Sequence, residues 1–423
     1  MATMKIILFK RPIWLASIFL VGLNFFLFGF FLYEGGTTNL ISKTFSKDTG
    51  LVYIEVDYLQ SNRLSFKDFK ELSNYFINIA EEKGAAYVLD LLKVAPLPPD
   101  TDLHLLAHVV GDILYKQEGT SGISICTPDF RNACSHTIVI GALLEGGEGA
   151  FPKIIEACRN APGGSGAYTM CFHGLGHGVL AYSDYDLEKA IELCKKTSTS
   201  KYGGESAQCI SGAIMEILSG VHNLELWEKQ HKKYLRDDDP LYPCTAGFMP
   251  SNARYLCYIY ITPHLFKVVG ADSNRPKAED YERAFRLCDK IRIADQSSRD
   301  ACYGGFGKEF AGLAQERDIR ILDRISDEEL KTIHGWCLLA DNSAGKVSCI
   351  KHATNYLYWG GENDRSMAIR FCGIIADFNL AGACFTNLIG AVSVYIQDVN
   401  YRKDFCKELP SFYYEQCQKR LTN

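Results

Sequence analysis

The sequence predicts an all-α protein. It reads as a disulfide-stapled array of helical hairpins, an open solenoid or a closed α/α toroid, carried on one N-terminal transmembrane helix. Three observations predict this: an apolar run at residues 13–33, sixteen cysteines set in regular pairs, and a helical pattern that recurs around each pair.

Lys5, Lys10 and Arg11 precede the run Ile13–Tyr33, which holds Trp14, six Phe and one interruption, Asn24. Its 21 residues match the length needed to cross a bilayer as a helix. The run is longer than the apolar region of a cleaved signal peptide. The following Glu34-Gly35-Gly36-Thr37-Thr38 offers no small-x-small cleavage site, so an uncleaved signal anchor is expected. The basic residues before the span place residues 1–12 in the cytoplasm and the chain after residue 33 outside it. Residues 34–64 read as a linker with one short strand, Leu51–Tyr58, and residues 65–423 as an extracytoplasmic repeat domain.

That domain opens with helices of its own. Ser65 is placed to cap a helix reaching about Lys83. A second, Ala85–Val94, stops at Ala95-Pro96-Leu97-Pro98-Pro99. A third, Asp102 to Tyr115, carries His104 and His108.

The cysteines then set the period. They fall into eight pairs: Cys126 with Cys134, Cys158 with Cys171, Cys194 with Cys209, Cys244 with Cys257, Cys288 with Cys302, Cys337 with Cys349, Cys372 with Cys384 and Cys406 with Cys417. Members of a pair lie 8 to 15 residues apart, and successive pairs 32 to 50 apart, a helical-hairpin period. No CxxC occurs, and an exported chain makes disulfides the expected state. The short pairing uses every cysteine locally. Bridging each second Cys to the next first Cys is the alternative, and it leaves Cys126 and Cys417 over unless the array closes into a ring.

Before the first Cys of a pair runs an amphipathic segment, as in Asp186–Cys194, Asp280–Cys288 and Asp364–Cys372. Asp stands eight residues before the Cys in each, and before Cys406 as Asp398, where it can cap a helix. After the second Cys comes a helix rich in small residues, such as CFHGLGHG at 171–178. Glycine costs a helix about 1 kcal/mol, so its recurrence points to close helix–helix approach. An insertion at 218–243 holds Trp227 and the acidic turn Asp237–Pro240.

The formal charge of −5 argues against a nucleic-acid partner. No P-loop, GxSxG or HExxH is present, and evenly paired cysteines leave no thiol for catalysis. The histidines are the chemical lead. His104 with His108, and His173 with His177, are i,i+4 pairs, which put two imidazoles on one helix face and suit a divalent metal ion. His136, like His173, lies two residues after its Cys. Glu216, His264 and Glu309 each lie seven after theirs, so Glu216 and Glu309 are candidate ligands or catalytic carboxylates if these helices line one concave face.

The segments CFHGLGHG, CISGAIMEI, YPCTAGFMPSNARYLCYIY and HLLAHVVG together resemble a group of bacterial membrane-anchored proteins with repeated Cys-aromatic-His-Gly-x-Gly-His motifs. The resemblance spans roughly residues 100–420 and implies no activity. In that group a Cys precedes the first His of HxxxH, whereas Leu103 stands here, implying one bridge fewer. A fainter likeness to LanC-type α/α toroids implies helices carrying histidine around a centre. Their Cys/Cys/His zinc site does not transfer, because these cysteines read as disulfides. Three functions follow as expectations: an extracytoplasmic module binding a protein, peptide or glycan; a metal-dependent enzyme acting on a cell-envelope substrate; or a structural envelope protein.

Overall fold

The computed structural model describes residues 55–62, 65–98, 101–199, 204–220, 222–271, 277–314, 325–359 and 365–421. The expected cytoplasmic tail, membrane anchor and first part of the linker lie outside the described residues, as does Asp364. The described residues from Leu59 onward form one compact unit. Every regular element among the described residues is helical.

The short strand expected through Tyr58 is a correction, since residues 55–62 are helical. Valine, isoleucine and tyrosine favour a strand, but a strand needs a partner and none is present among the described residues. The first cap is corrected too. Ser65 donates to the Asn62 carbonyl, and Asp68 caps α1 (Phe69–Lys83) by accepting from the Glu71 amide at 2.9 Å. There follow α2 (Ala85–Val94), α3 (Leu103–Glu118), α4 (Asp129–Gly146), α5 (Phe151–Arg159) and α6 (Gly164–Tyr182). Then come α7 (Leu187–Lys195), α8 (Glu205–Ser219), α9 (Leu224–Gln230), α10 (Ser251–Tyr260) and α11 (Thr262–Val268). The chain continues through α12 (Ala278–Asp289), α13 (Gln296–Ala314), α14 (Asp327–Cys337) and α15 (Ser343–Trp359). It ends with α16 (Arg365–Gly373), α17 (Phe378–Tyr395), α18 (Val399–Glu408) and α19 (Ser411–Leu421).

Six helices form a closed inner ring. α6, α8, α10, α13, α15 and α17 pack in that order, and α17 returns to α6. At the closure the Ser165 hydroxyl donates to the Val394 carbonyl at 2.8 Å. Gly166 makes room there, since a β-carbon on it would meet the Tyr395 ring at 2.0 Å. Of the two architectures expected, this is the toroid. α3 and α4 continue the stack beyond α6, and α19 packs on α17 at the far side of the ring.

The outer helices bury the face their spacing implied. In α7 Ala190, Ile191, Leu193 and Cys194 are buried, and in α12 Ala284, Phe285, Leu287 and Cys288. Each large apolar side chain contributes about 1.5–3 kcal/mol by leaving water. Asp186 and Asp398 are caps, accepting from amides of α7 and α18. Asp280 is not. It stands third inside α12 and accepts from the Lys277 amide, because α12 starts further ahead of its Cys than α7 and α18 do.

The cysteines follow the short register throughout, and the longer alternative does not occur. Cys126 is bridged to Cys134, Cys158 to Cys171, Cys194 to Cys209 and Cys244 to Cys257. Cys288 is bridged to Cys302, Cys337 to Cys349, Cys372 to Cys384 and Cys406 to Cys417. Their Cα–Cα distances of 5.4 to 5.7 Å are those of ordinary disulfides. Cys171, Cys209, Cys257, Cys302, Cys349 and Cys384 lie on the six inner-ring helices, so each bridge pins an inner helix to the segment before it. All six are completely buried, which makes them structural and leaves no sulfur for a metal.

Among the described residues α17 is the one helix long and apolar enough to cross a membrane by length and composition. Here it is ring wall, between α15 and α6.

Glycine sets the helix spacing. A β-carbon at Gly176 would fall 1.9 Å from the Cys209 carbonyl oxygen, and one at Gly307 1.9 Å from that of Cys349. Both obstacles are backbone, so the helices themselves must separate. Gly176→Ala and Gly307→Ala should each destabilise the fold by about 3 kcal/mol, read as a lowered urea midpoint. Gly335, helical with open space around it, is the control: Gly335→Ala should stabilise by about 0.5–1 kcal/mol.

Candidate metal centre

The pattern CFHGLGHG becomes legible on α6. Gly174 and Gly178 lie against α4, where β-carbons would meet His136 and Ile140 respectively, while Gly176 lies against α8. α6 is therefore clamped between two helices, with His173 and His177 buried among them. Asp102 starts α3 by accepting from the Leu105 amide at 3.0 Å, which sets His104 and His108 on one face of that helix. His136 comes from α4. Gly220, in the left-handed conformation at φ 64°, ends α8 and leads the chain to His222.

These six histidines form one cluster. Ring centroids run His104–His108 4.6 Å, His108–His222 6.0 Å, His222–His177 5.8 Å, His177–His136 6.2 Å and His136–His104 5.6 Å, which closes a circuit of five imidazoles. His173 joins it at 5.2 Å from His177 and 5.9 Å from His136. Two sets of three have ligating atoms within 4.8 Å of one another: His104, His108 and His136, and His177, Glu216 and His222. The Nε2 atoms of His104 and His108 are 3.1 Å apart. Nitrogens sharing one metal at about 2.0–2.1 Å stand about 3 Å from each other.

Four of the rings are anchored through Nδ1. His104 Nδ1 donates to the Phe130 carbonyl at 2.6 Å. His177 and His222 donate to Glu216 Oε2 at 3.1 and 2.8 Å. His173 Nδ1 lies 2.8 Å from the Ser211 hydroxyl, whose own proton goes to the Gln208 carbonyl, so the imidazole donates there too. In a neutral ring the proton on Nδ1 leaves Nε2 as a lone pair. Acceptor-anchored imidazoles of this kind are how metal-binding histidines are oriented. His108 and His136 are the exceptions, and His136 is the more extreme. It is 1% exposed and both its ring nitrogens are buried without a hydrogen-bond partner, as are His108 Nδ1 and His177 Nε2. Orphaned polar atoms cost about 1–3 kcal/mol each, which a core histidine kept for packing would avoid.

Glu216 is 0% exposed and fully engaged. Its Oε1 accepts from the Tyr185 hydroxyl at 2.5 Å and the His222 amide at 3.0 Å, and its Oε2 takes the two imidazoles. Burial pushes its pKa up, but the hydrogen bonds from His177 and His222 outweigh that and hold it below the usual carboxylate range. The imidazoles move the other way. Burial, then the Arg131 guanidinium, lowers His104 to about 4. Burial and neighbouring imidazoles hold His108, His136 and His173 well below the ordinary value, and burial lowers His177 against the pull of Glu216. Neutral rings beside one ionised carboxylate are the protonation states metal binding requires.

Backbone strain collects at the same place. The non-glycine residues with positive φ among the described ones are Phe130, Arg131, Asn132, Asp184 and Tyr185. The first three break α4 at its start and present the carbonyl that anchors His104; the last presents the hydroxyl that anchors Glu216. Left-handed conformations in such residues cost about 1–3 kcal/mol each and recur where a site must be held in place.

The structure thus brings His104, His108, His173, His177 and Glu216 together. It does not bring Glu309 to them: that carboxylate lies against Lys308 in an ion pair. His264 is also apart, bonded through Nε2 to the Arg236 carbonyl at 3.1 Å. His136 joins the cluster although only its position after Cys134 had marked it. His222 and Tyr185 carried no repeat signal at all. No family model, curated protein or solved structure matches the chain.

Proposed function

We propose that this chain is a membrane-anchored, extracytoplasmic metalloenzyme. Its centre holds a divalent transition metal between His104, His108 and His136, with His177 and His222 of the adjoining triad as further imidazole ligands. The observation that carries this reading is His136, a buried imidazole with both nitrogens unpartnered, set among His104, His173, His177 and His222, whose Nδ1 atoms are tied outward. An imidazole set of this kind suits zinc, copper, nickel or iron. Imidazoles that fill only part of the coordination shell leave a further position for water or substrate, the arrangement of a catalytic rather than a structural site, and a metal there would supply Lewis-acid chemistry. Glu216 acts as the positioning carboxylate for His177 and His222. The bridging of sixteen cysteines supports an oxidising compartment, and the apolar run at 13–33 supports a single anchor.

Elemental analysis of the purified chain, loaded with zinc and dialysed, should find metal in simple stoichiometry. His108→Ala and His136→Ala should each weaken retention by at least about tenfold with the helical circular dichroism intact. A chain that stays metal-free after loading with zinc, copper, nickel and iron in turn sinks the reading, and so do variants that hold metal as well as the parent.

A further inference from the structure

Inside the inner ring lies a cavity of about 560 Å³, to which all six ring helices contribute. Its size suits a small organic molecule. Its charge is the reverse of the chain's. The protein carries −5 overall, yet among the described residues no Asp or Glu lines the cavity, whereas Lys308, Lys351 and Arg420 do. Lys308 is paired with Glu309, but no carboxylate among the described residues pairs with Lys351 or Arg420. A fourth cation stands at the wall. Arg131, delivered by the left-handed start of α4, lies 4.4 Å from the centre of the Tyr356 ring, and its Nε is buried without a hydrogen-bond partner. Cations gathered along one cleft with low-dielectric walls focus a positive potential there. Burial, with Lys351 and Lys308, lowers His352 to about 4, so that ring adds hydrogen-bonding capacity and no charge.

The remaining walls are aromatic and amide. Tyr260, Tyr356 and Tyr395 line the cavity, and Asn387 donates to the Lys351 carbonyl and to Asn355 Oδ1, which leaves the Asn387 oxygen and the Asn355 amide nitrogen for a ligand. Tyr260 also lies 5.0 Å from the His173 ring, so this tyrosine stands between the cavity and the histidine cluster.

We propose that this cavity is a binding site for a small organic anion, its carboxylate, phosphate or sulfate group held by Lys351 and Arg420 and its body against the tyrosines. The site goes beyond the metal reading and stands without it.

The test is calorimetric titration of the full chain in chelator, so that the histidine cluster is empty. The probes are phenyl phosphate, phenol as the same ring without charge, and inorganic phosphate as the charge without a ring. Phenyl phosphate should bind saturably and at least about tenfold tighter than either, and added salt should weaken it. Lys351→Met and Arg420→Gln should each weaken it about tenfold, while Lys331→Met, on an exposed outer face, should change nothing. Arg420 is exposed at the rim, so its variant folds even if that of Lys351 does not. Phenol binding as tightly as phenyl phosphate, affinity untouched by either cavity substitution, or no saturable binding of phenyl phosphate overturns the proposal. Inorganic phosphate binding as tightly as phenyl phosphate overturns the organic part of it.

Discussion

Complete reduction of the eight disulfides should unfold the helical ring. Each bridge closes a loop of 8 to 15 residues, and six of the eight join an outer segment to the next inner-ring helix. Constraining loops of that size stabilises a fold by roughly 2.5–3 kcal/mol per bridge, about 20 kcal/mol for the set. The net stability of a folded domain is about 5–15 kcal/mol, so the bridges exceed the whole margin. Thiol titration of freshly isolated protein should therefore find essentially no free thiol. Reductant in the absence of denaturant should release sixteen and abolish both the far-ultraviolet helical signal and cooperative melting. A reduced chain that still melts cooperatively near the temperature of the oxidised one would show that the packed helices alone carry the fold.

The bridges were legible because they are local. Most need only the helix before them to end where the next helix begins, and an amphipathic frame such as Asp186–Cys194 states that directly. Ring closure was not legible. It depends on the small turn between neighbouring units, summed round to a contact between Ser165 and Val394, 229 residues apart. The site divides the same way. The i,i+4 histidine pairs follow from helix geometry, and so they stood out. His222 sits in an insertion with no repeat to compare it with. It reaches the cluster because Gly220 turns left-handed under the Trp227 ring, where a β-carbon would fall 2.5 Å from the indole. Tyr185 escaped notice because a hydroxyl next to a helix cap is ordinary in sequence, and only its φ of 59° marks the position as held. Glu216 and Glu309 occupy equivalent places after Cys209 and Cys302 yet meet different neighbours. α8 packs beside α6 and its histidines, whereas on α13 the adjacent Lys308 takes the carboxylate.

That divergence yields the sharpest test of the centre. Glu216→Gln keeps the shape of the side chain but changes what it can accept. A carboxylate receives both imidazole Nδ1–H groups on Oε2, as well as the Tyr185 hydroxyl and the His222 amide on Oε1. An amide offers one oxygen, and its nitrogen is a donor only. Whichever way it turns, either the imidazoles or the Tyr185 and His222 donors face an N–H group. With the nitrogen toward the imidazoles, each must move its own proton to Nε2 to accept, and a protonated Nε2 is no metal ligand. With the nitrogen the other way, two buried donors are left unmade, at about 1–3 kcal/mol each. Loss of such an orienting partner weakens metal binding by about 10–100-fold. The variant should therefore fold, melt lower, and show that fall in zinc affinity in a competition titration with a chromophoric chelator. Glu309→Gln, at the equivalent position in its repeat, should leave zinc affinity unchanged. Equal losses in the two variants would mean that the carboxylates act through the stability of the ring, and an unchanged affinity in Glu216→Gln would remove this carboxylate from the centre altogether.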